Sequence, residues 1–432
     1  MNPGLVIMLR PAGPWRIGPD SGARNKVDVI YHSDSLYSAV TGAMARLGGL
    51  EEWLDATARA AVPGVCFSSC FPFLDEIRFV VPPRTLWPPM SPSLMSAAVR
   101  WKSARFVPLE VVQAMLAGQA LDKDQWSVDG GSACLVPVGR PGPFRTVVRW
   151  SAAVDRLSGA SERHGVACIE FRAGAGLWTV ASFADEAARD RWTEPVKAAF
   201  RLLADSGFGG ERSRGWGRAE SPEFVAGRLP ELIVGQVSEM GVGGQGSGAE
   251  VGDGGRGSGG GEAEPAVVAQ VPEPGAGEES AVEAQATEPV VEPLTEPEAQ
   301  PESEAPTPDP RPLTPVEAPT PDPQPLTPVE APAEPLTPGL QAHWLLSLFT
   351  PAAADTVDWA RGNYVVLARG GRVESPAGSG DLKKQARMVA EGSVVYAERV
   401  PCGAAADVAP DGFAHPVFRA GFALSVPLPE VR

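Results

Sequence analysis

Histidine is scarce in this chain of 432 residues: His32, His164, His343 and His415 lie far apart and match neither HExxH nor a triad signature. Cysteine is scarce too. Cys66, Cys70, Cys134, Cys168 and Cys402 are scattered and odd in number, which excludes a closed disulfide framework. Cys66 and Cys70 form one CxxxC with no second pair, so zinc lacks its ligands and two core thiols are the natural reading. The apolar run at the start, Leu5 to Leu9, is shorter than a signal-peptide core and far shorter than a membrane span. Carboxylates are numerous but show no paired pattern. These shortages point to a cytoplasmic protein with no metal, no cofactor and no catalytic residue, His32 as a general base in RNA cleavage being the alternative.

Basic charge is also in deficit, with a formal net charge of -16. That average misleads. Residues 239–339 carry 20 acidic residues against only Arg256 and Arg311, so the remainder of the chain is close to neutral. A near-neutral folded part with clustered arginines can bind RNA. The same stretch contains no aromatic residue and 20 of the 45 prolines, and it cannot bury enough apolar surface to offset the entropy of ordering it. It is expected to be a disordered, acidic linker, Gly-rich at first and Pro/Glu-rich later, with a short repeat from Pro306 renewed at Pro319. Ordered parts are expected over 1–238 and 340–432.

The first part opens with a strand, Leu5 to Arg10. A helix follows, with Ser33 and Asp34 as cap residues and Leu36, Val40, Ala43 and Leu47 at helical spacing. Val65 to Phe73 reads as one strand with Ile77 to Val81 as its hairpin partner. A basic segment, Arg100 to Arg105, leads to a helix over Pro108 to Leu116. Strands return at Val166 to Phe171 and Leu177 to Phe183. Trp192, Val196, Ala199 and Leu203 then mark a helix over Glu186 to Asp205. This order predicts an α+β, ferredoxin-like βαββαβ sheet with an inserted hairpin and helix, of the RRM-like kind that often serves as an RNA platform. After the linker, strands at Trp344 to Phe349, Tyr364 to Ala368 and Phe422 to Val426 suggest a smaller α+β unit or strands that complete the first.

The densest chemistry lies at Gly207-Phe-Gly209-Gly210-Glu-Arg212-Ser213-Arg214-Gly215-Trp-Gly217-Arg218. Glycine lets a backbone approach a phosphodiester, and arginine supplies forked donors to its oxygens. A Rossmann loop needs glycine where Arg212 stands, and a P-loop needs lysine where Trp216 stands. Both also need a preceding strand. A nucleotide-binding enzyme is therefore disfavoured, while a solvated glycine loop with ordinary surface arginines stays open beside RNA binding. His32 and Ser33, at a helix N-terminus, could likewise meet a phosphate or act as a plain cap.

In combination these motifs resemble a known family. His32-Ser-Asp-Ser-Leu-Tyr-Ser-Ala, Ser69-Cys-Phe-Pro-Phe, Phe79-Val-Val-Pro-Pro and the Gly207 loop are similar to the RAMP superfamily of CRISPR systems, and among these to the fourth subunit of type III-A Csm effector complexes. Leu346-Ser-Leu-Phe-Thr-Pro, Arg369-Gly-Gly-Arg-Val, Glu391-Gly-Ser-Val and the segment from His415 to Leu424 match that subunit's closing segments in content and order. The resemblance implies two ferredoxin-like halves in a non-catalytic subunit of antiviral defence. Such a subunit grips the 5′ repeat-derived handle of the guide RNA (crRNA) and docks on the large palm-domain subunit and the backbone RAMP subunit. It implies handle contacts from His32, Ser33, Lys102, Arg105, Arg156, Gly207, Gly209, Gly210, Arg212, Ser213, Arg214 and Arg218. A guide-processing endoribonuclease of the same superfamily and the equivalent subunit of a type III-B complex are its alternatives.

Overall fold

The opening strand is apolar along nearly its whole length, as a central strand covered on both faces must be. In the computed structural model, which describes residues 2–19, 22–89, 100–154, 156, 160–235, 339–375 and 378–429, it is β1 (Asn2–Leu9). The linker expected over 239–339 lies, but for Gly339, outside the described residues. Helix α1 (Ser33–Arg46) and a short α2 (Leu50–Ala56) follow. Next come β2 (Val65–Phe67), β3 (Phe71–Leu74) and the hairpin partner β4 (Ile77–Val80). An insertion then runs through β5 (Val107–Pro108), α3 (Leu109–Leu116), a hairpin of β6 (Trp126–Asp129) and β7 (Cys134–Pro137), and a ribbon of β8 (Phe144–Val154) and β9 (Ser161–Phe171). The sheet resumes with β10 (Ala175–Phe183), α4 (Glu186–Ser206) and β11 (Glu223–Leu229), closed by the single turn α5 (Glu231–Val234).

The main sheet has the order β11-β1-β10-β3-β4-β5, with β2 also on β10, and its pairs are antiparallel. Val6 stands opposite Val180 on one side and Val225 on the other. This is the strand order of the expected ferredoxin-like motif. Its two crossing helices are α1 and α4, which bury Leu36, Val40 and Ala43 from one and Trp192, Val196, Ala199, Phe200 and Leu203 from the other. Asp185 caps α4 by accepting from the Ala188 N–H at 2.7 Å, and Gly207 ends it at a φ of 79°.

Three expectations needed correction. The single strand over Val65 to Phe73 breaks in the middle: Ser68 N–H still pairs with Val180 O, but Ser69 N–H donates to Leu346 O and Cys70 N–H to Tyr31 O. Tertiary partners there replace the ladder. The cap of α1 is His32, with no side-chain cap bond, so Ser33 and Asp34 are helical residues whose polar groups go elsewhere. The ribbon β8–β9 pairs from Phe144 with Phe171 to Val154 with Ser161, longer than the strand expected from Val166, because Ser161 to Gly165 offered no apolar pattern.

The C-terminal part is strands alone among the described residues. They are β12 (Gln341–Leu345), β13 (Val357–Asn363), β14 (Val366–Arg369), β15 (Arg372–Ser375), β16 (Gly378–Leu382), β17 (Ala386–Val389), β18 (Val394–Ala397), β19 (Gly403–Asp407), β20 (Phe418–Phe422) and β21 (Ser425–Pro427). A four-stranded sheet runs β13-β18-β12-β21, and the rest form two-stranded ribbons. Trp344, Leu346, Phe422 and Val426 join the same apolar core as β1 and α1. Tyr37 of α1 meets Phe422 edge-on at 5.5 Å, and Trp344 Nε1 donates to Val81 O at 3.1 Å. These strands therefore complete the first core.

Candidate nucleic-acid interface

The glycine loop is moulded on the chain itself. Arg16 is buried, and its guanidinium donates to the carbonyls of Ala23, Arg24 and Ala167 at 3.0, 3.0 and 2.8 Å. Its own backbone oxygen takes the N–H of Gly210 at 2.8 Å. A Cβ on Gly209 would lie 2.7 Å from Arg16 O, and one on Gly217 2.1 Å from Phe208 O. Phe208 is wedged edge-on between Trp15 and Tyr31, with ring centroids 4.6 and 5.0 Å away. Gly207, Gly209 and Gly210 thus make room for the protein's own backbone or side chains. What the template presents outward is the 3₁₀ turn Arg212–Arg214, with Arg212, Ser213 and Arg214 exposed.

Beside that turn lies a cleft of about 450 Å³. Tyr31, Ser35, Ser38, Gly42 and Arg46 form one wall; Gly207, Phe208, Gly209 and Arg212 form a second; Gly370, Gly371, Arg372, Lys383, Phe418 and Arg419 form the third. Five cationic side chains, Arg46, Arg212, Arg372, Lys383 and Arg419, line it with one carboxylate, Asp34. A concave surface with that imbalance concentrates an anion.

The lone carboxylate is already committed. Asp34 is fully buried and takes the guanidinium of Arg369 at 3.0 Å, together with that of Arg419. Burial pushes its carboxyl up, but the two guanidinia outweigh burial and hold it below the ordinary aspartate range. Arg419 also donates to Gly370 O at 2.6 Å, which fixes the Gly370–Arg372 turn at the cleft wall. The hub thus carries one cation in excess.

A second buried cluster lies under the start of α1. His32 is 2% exposed and bonds Glu391 through Nδ1 at 2.8 Å and Asp28 through Nε2 at 3.1 Å. Burial disfavours its charged form, but Glu391 and Asp28 prevail and raise its pKa to about 9. Ser33 Oγ accepts the Leu348 N–H at 2.9 Å, while Ser33 N–H donates to Ser69 Oγ at 2.9 Å. Both His32 and Ser33 therefore join the N- and C-terminal parts, and the expectation that they meet a phosphate at the helix start is corrected.

The other expected residues are dispersed. Lys102 and Arg105 are exposed, and Arg105 reaches Asp28 at 3.3 Å. Arg156 is exposed at the tip of the β8–β9 ribbon. Arg214 pairs with Glu211 at 3.2 Å and Arg218 with Asp205 at 3.2 Å, both at the surface. Of the expected residues, Gly207, Gly209 and Arg212 line the cleft. Sequence reasoning missed Arg46 and Lys383; Arg372 and Arg419 stood in motifs noted only for their resemblance. The described residues hold no group of three or more histidine, cysteine or acidic side chains that could bind a metal, and no helix long and apolar enough to cross a membrane.

Residues 340–428 match the family model of the CRISPR Csm4 C-terminal domain. The chain matches none of the curated proteins. In fold it resembles a chain of the Csm3–Csm4 subcomplex in the type III-A CRISPR-Cas interference complex, at 13% identity and a TM-score of 0.51, over 98% of this chain and 99% of that one. A chain of a Csm1–Csm4 cassette in complex with cA4 is similar at 15% identity and a TM-score of 0.47, over 100% and 99% of the two chains. The C-terminal strands thus match the model of a Csm4 C-terminal domain, and the chain as a whole shares the fold of a chain of a Csm3–Csm4 subcomplex.

Proposed function

We propose that this chain is a subunit of a Csm effector complex and holds the 5′ repeat-derived handle of the guide RNA, with the handle's phosphates in the cleft between α1, the glycine loop and the Gly370–Arg372 turn. The observation that carries the reading is the excess of five cations over one internally paired carboxylate around a 450 Å³ concavity. Backbone charge is what a protein reads when guide pairing reads the target sequence. The large palm-domain subunit and the backbone RAMP subunit are its partners, as the pairings named for the similar structures suggest.

The subunit acts by binding, without a cleavage step of its own. His32, the best-placed general base, is buried between two carboxylates and stays protonated near neutral pH, where it has no free lone pair to accept a proton. Repeat RNA incubated with the purified chain should remain intact. Cleavage that disappears in His32→Ala would reverse the assignment.

The binding test is fluorescence anisotropy on handle RNA across a salt series. Arg46→Ala with Arg372→Ala should weaken binding and reduce the slope of log K against log salt by about one per lost phosphate contact. Arg212→Ala with Arg214→Ala should act the same way. Unchanged affinity and slope in both pairs would refute handle binding at this cleft.

A further inference from the structure

A second cavity adjoins the cleft and has the opposite chemistry. It holds about 370 Å³, within the ~300 to 1,000 Å³ of small-molecule sites, and its apolar walls are Tyr37, Leu50, Leu54, Val373, Val417 and Phe418. Ser38, Gly42, Arg46, Lys383 and Phe418 line both cavities. Ser38, Gly42 and Arg46 recur every four residues along α1, so one helical ridge of small side chains, ending in a cation, separates a basic space from an apolar one.

A nucleotide joins those two chemistries in one unit, an anionic phosphate beside a base with apolar faces. Single-stranded RNA is gripped in this way, by a charged track for the backbone and aromatic faces for unstacked bases. Phe418 is half-buried and shared by both cavities, which puts an aromatic ring at the passage between them. Arg46 and Lys383 stand at the same passage. We infer that the apolar slot takes a single unstacked nucleobase of the RNA strand whose phosphates lie in the cleft, with Phe418 against its face. An apolar side chain of a protein partner would fit the walls equally, but it has no use for the two cations at the entrance.

The inference rests on handle binding at the cleft, and the experiment separates the two. Handle RNAs carrying one abasic nucleotide at each position in turn are titrated against the full-length chain and against Ala45→Trp. Ala45 is an exposed residue of α1 that lines the apolar slot and not the cleft, so tryptophan there fills the slot and leaves the cleft cations in place. The unaltered chain should lose about tenfold in affinity at one abasic position. In Ala45→Trp that penalty should vanish, while the salt slope stays that of the unaltered chain. Equal affinity for all the abasic RNAs, or a penalty that survives in Ala45→Trp, overturns the base slot and leaves handle binding standing. If the abasic RNAs bind alike and Ala45→Trp instead blocks joining of the palm-domain subunit, the slot belongs to a protein side chain. If intact handle RNA does not bind at all, handle binding falls and the slot with it.

Discussion

Asp34 is the residue on which the cleft most depends. Its two arginine partners are 7% and 8% exposed at the side chain, so removing the carboxylate strands two buried cations. Breaking such a pair from one side costs about 3 to 5 kcal/mol. Asp34→Ala should therefore lower the unfolding free energy of the full chain, read from urea melts, by that amount, and a loss below about 1 kcal/mol would show the hub to be solvated. Acid and alkali should act on different members of these clusters. His32 is raised from an ordinary 6.5 to about 9, so its contribution is complete below about 6.5 and lost as pH rises through about 9. Asp34 and Glu391 are lowered, so theirs is complete above the ordinary carboxylate range and lost as pH falls beneath it. A urea-midpoint profile against pH should plateau in between, and His32→Ala should remove much of its alkaline limb. None of this pairing was legible in the sequence. His32 and Glu391 lie 359 positions apart, and a histidine before a helix looks the same whether it faces a phosphate or a buried glutamate.

At the scale of elements, the helices were the legible part. Leu36, Val40 and Ala43 in α1, and Trp192, Val196, Ala199 and Leu203 in α4, keep the 3.6-residue spacing because each helix buries a single stripe. The strand through Ser68 and Ser69 was not legible as two, because its break is made by Leu346 and Tyr31, which local pattern cannot see. The glycine loop was visible, but its packing against Arg16 and Phe208 was not. Five glycines in twelve residues look the same whether or not they admit the protein's own backbone, and only the contacts of Gly209 and Gly217 show that they do. The loop supplies a graded test. Gly217→Ala puts a methyl 2.1 Å from Phe208 O at a φ of 79°, whereas Gly215→Ala meets nothing within 4 Å at a φ of 77°. The second should cost only the left-handed backbone penalty of ~1 to 2 kcal/mol, and the first clearly more. Equal thermal shifts in the two variants would mean that the loop is not held against Phe208.

Over the whole molecule, the α+β ferredoxin-like class of the N-terminal sheet could be read from the sequence, since β1, α1, β10 and α4 each carry their own signal, whereas the edge strand β11 was not expected. The C-terminal strands gave a weaker signal, being short and mostly paired in ribbons. Their role emerges only from the common core and from the contacts Ser33–Leu348, His32–Glu391 and Asp34–Arg369. Through those contacts Arg372, Lys383 and Arg419 come to face α1 and the glycine loop, and the cleft exists only because both ends of the chain build it. The central claim is that handle RNA occupies that cleft. Its most direct test is photo-crosslinking of 4-thiouridine-substituted guide RNA in the assembled ribonucleoprotein, with the linked peptides read by mass spectrometry. Handle positions should crosslink to peptides spanning 31–46, 207–214, 370–383 and 415–419, and the links should weaken when Arg46 and Arg372 are replaced by alanine. Handle crosslinks confined to other parts of this chain, or found only on the partner subunits, would contradict the account.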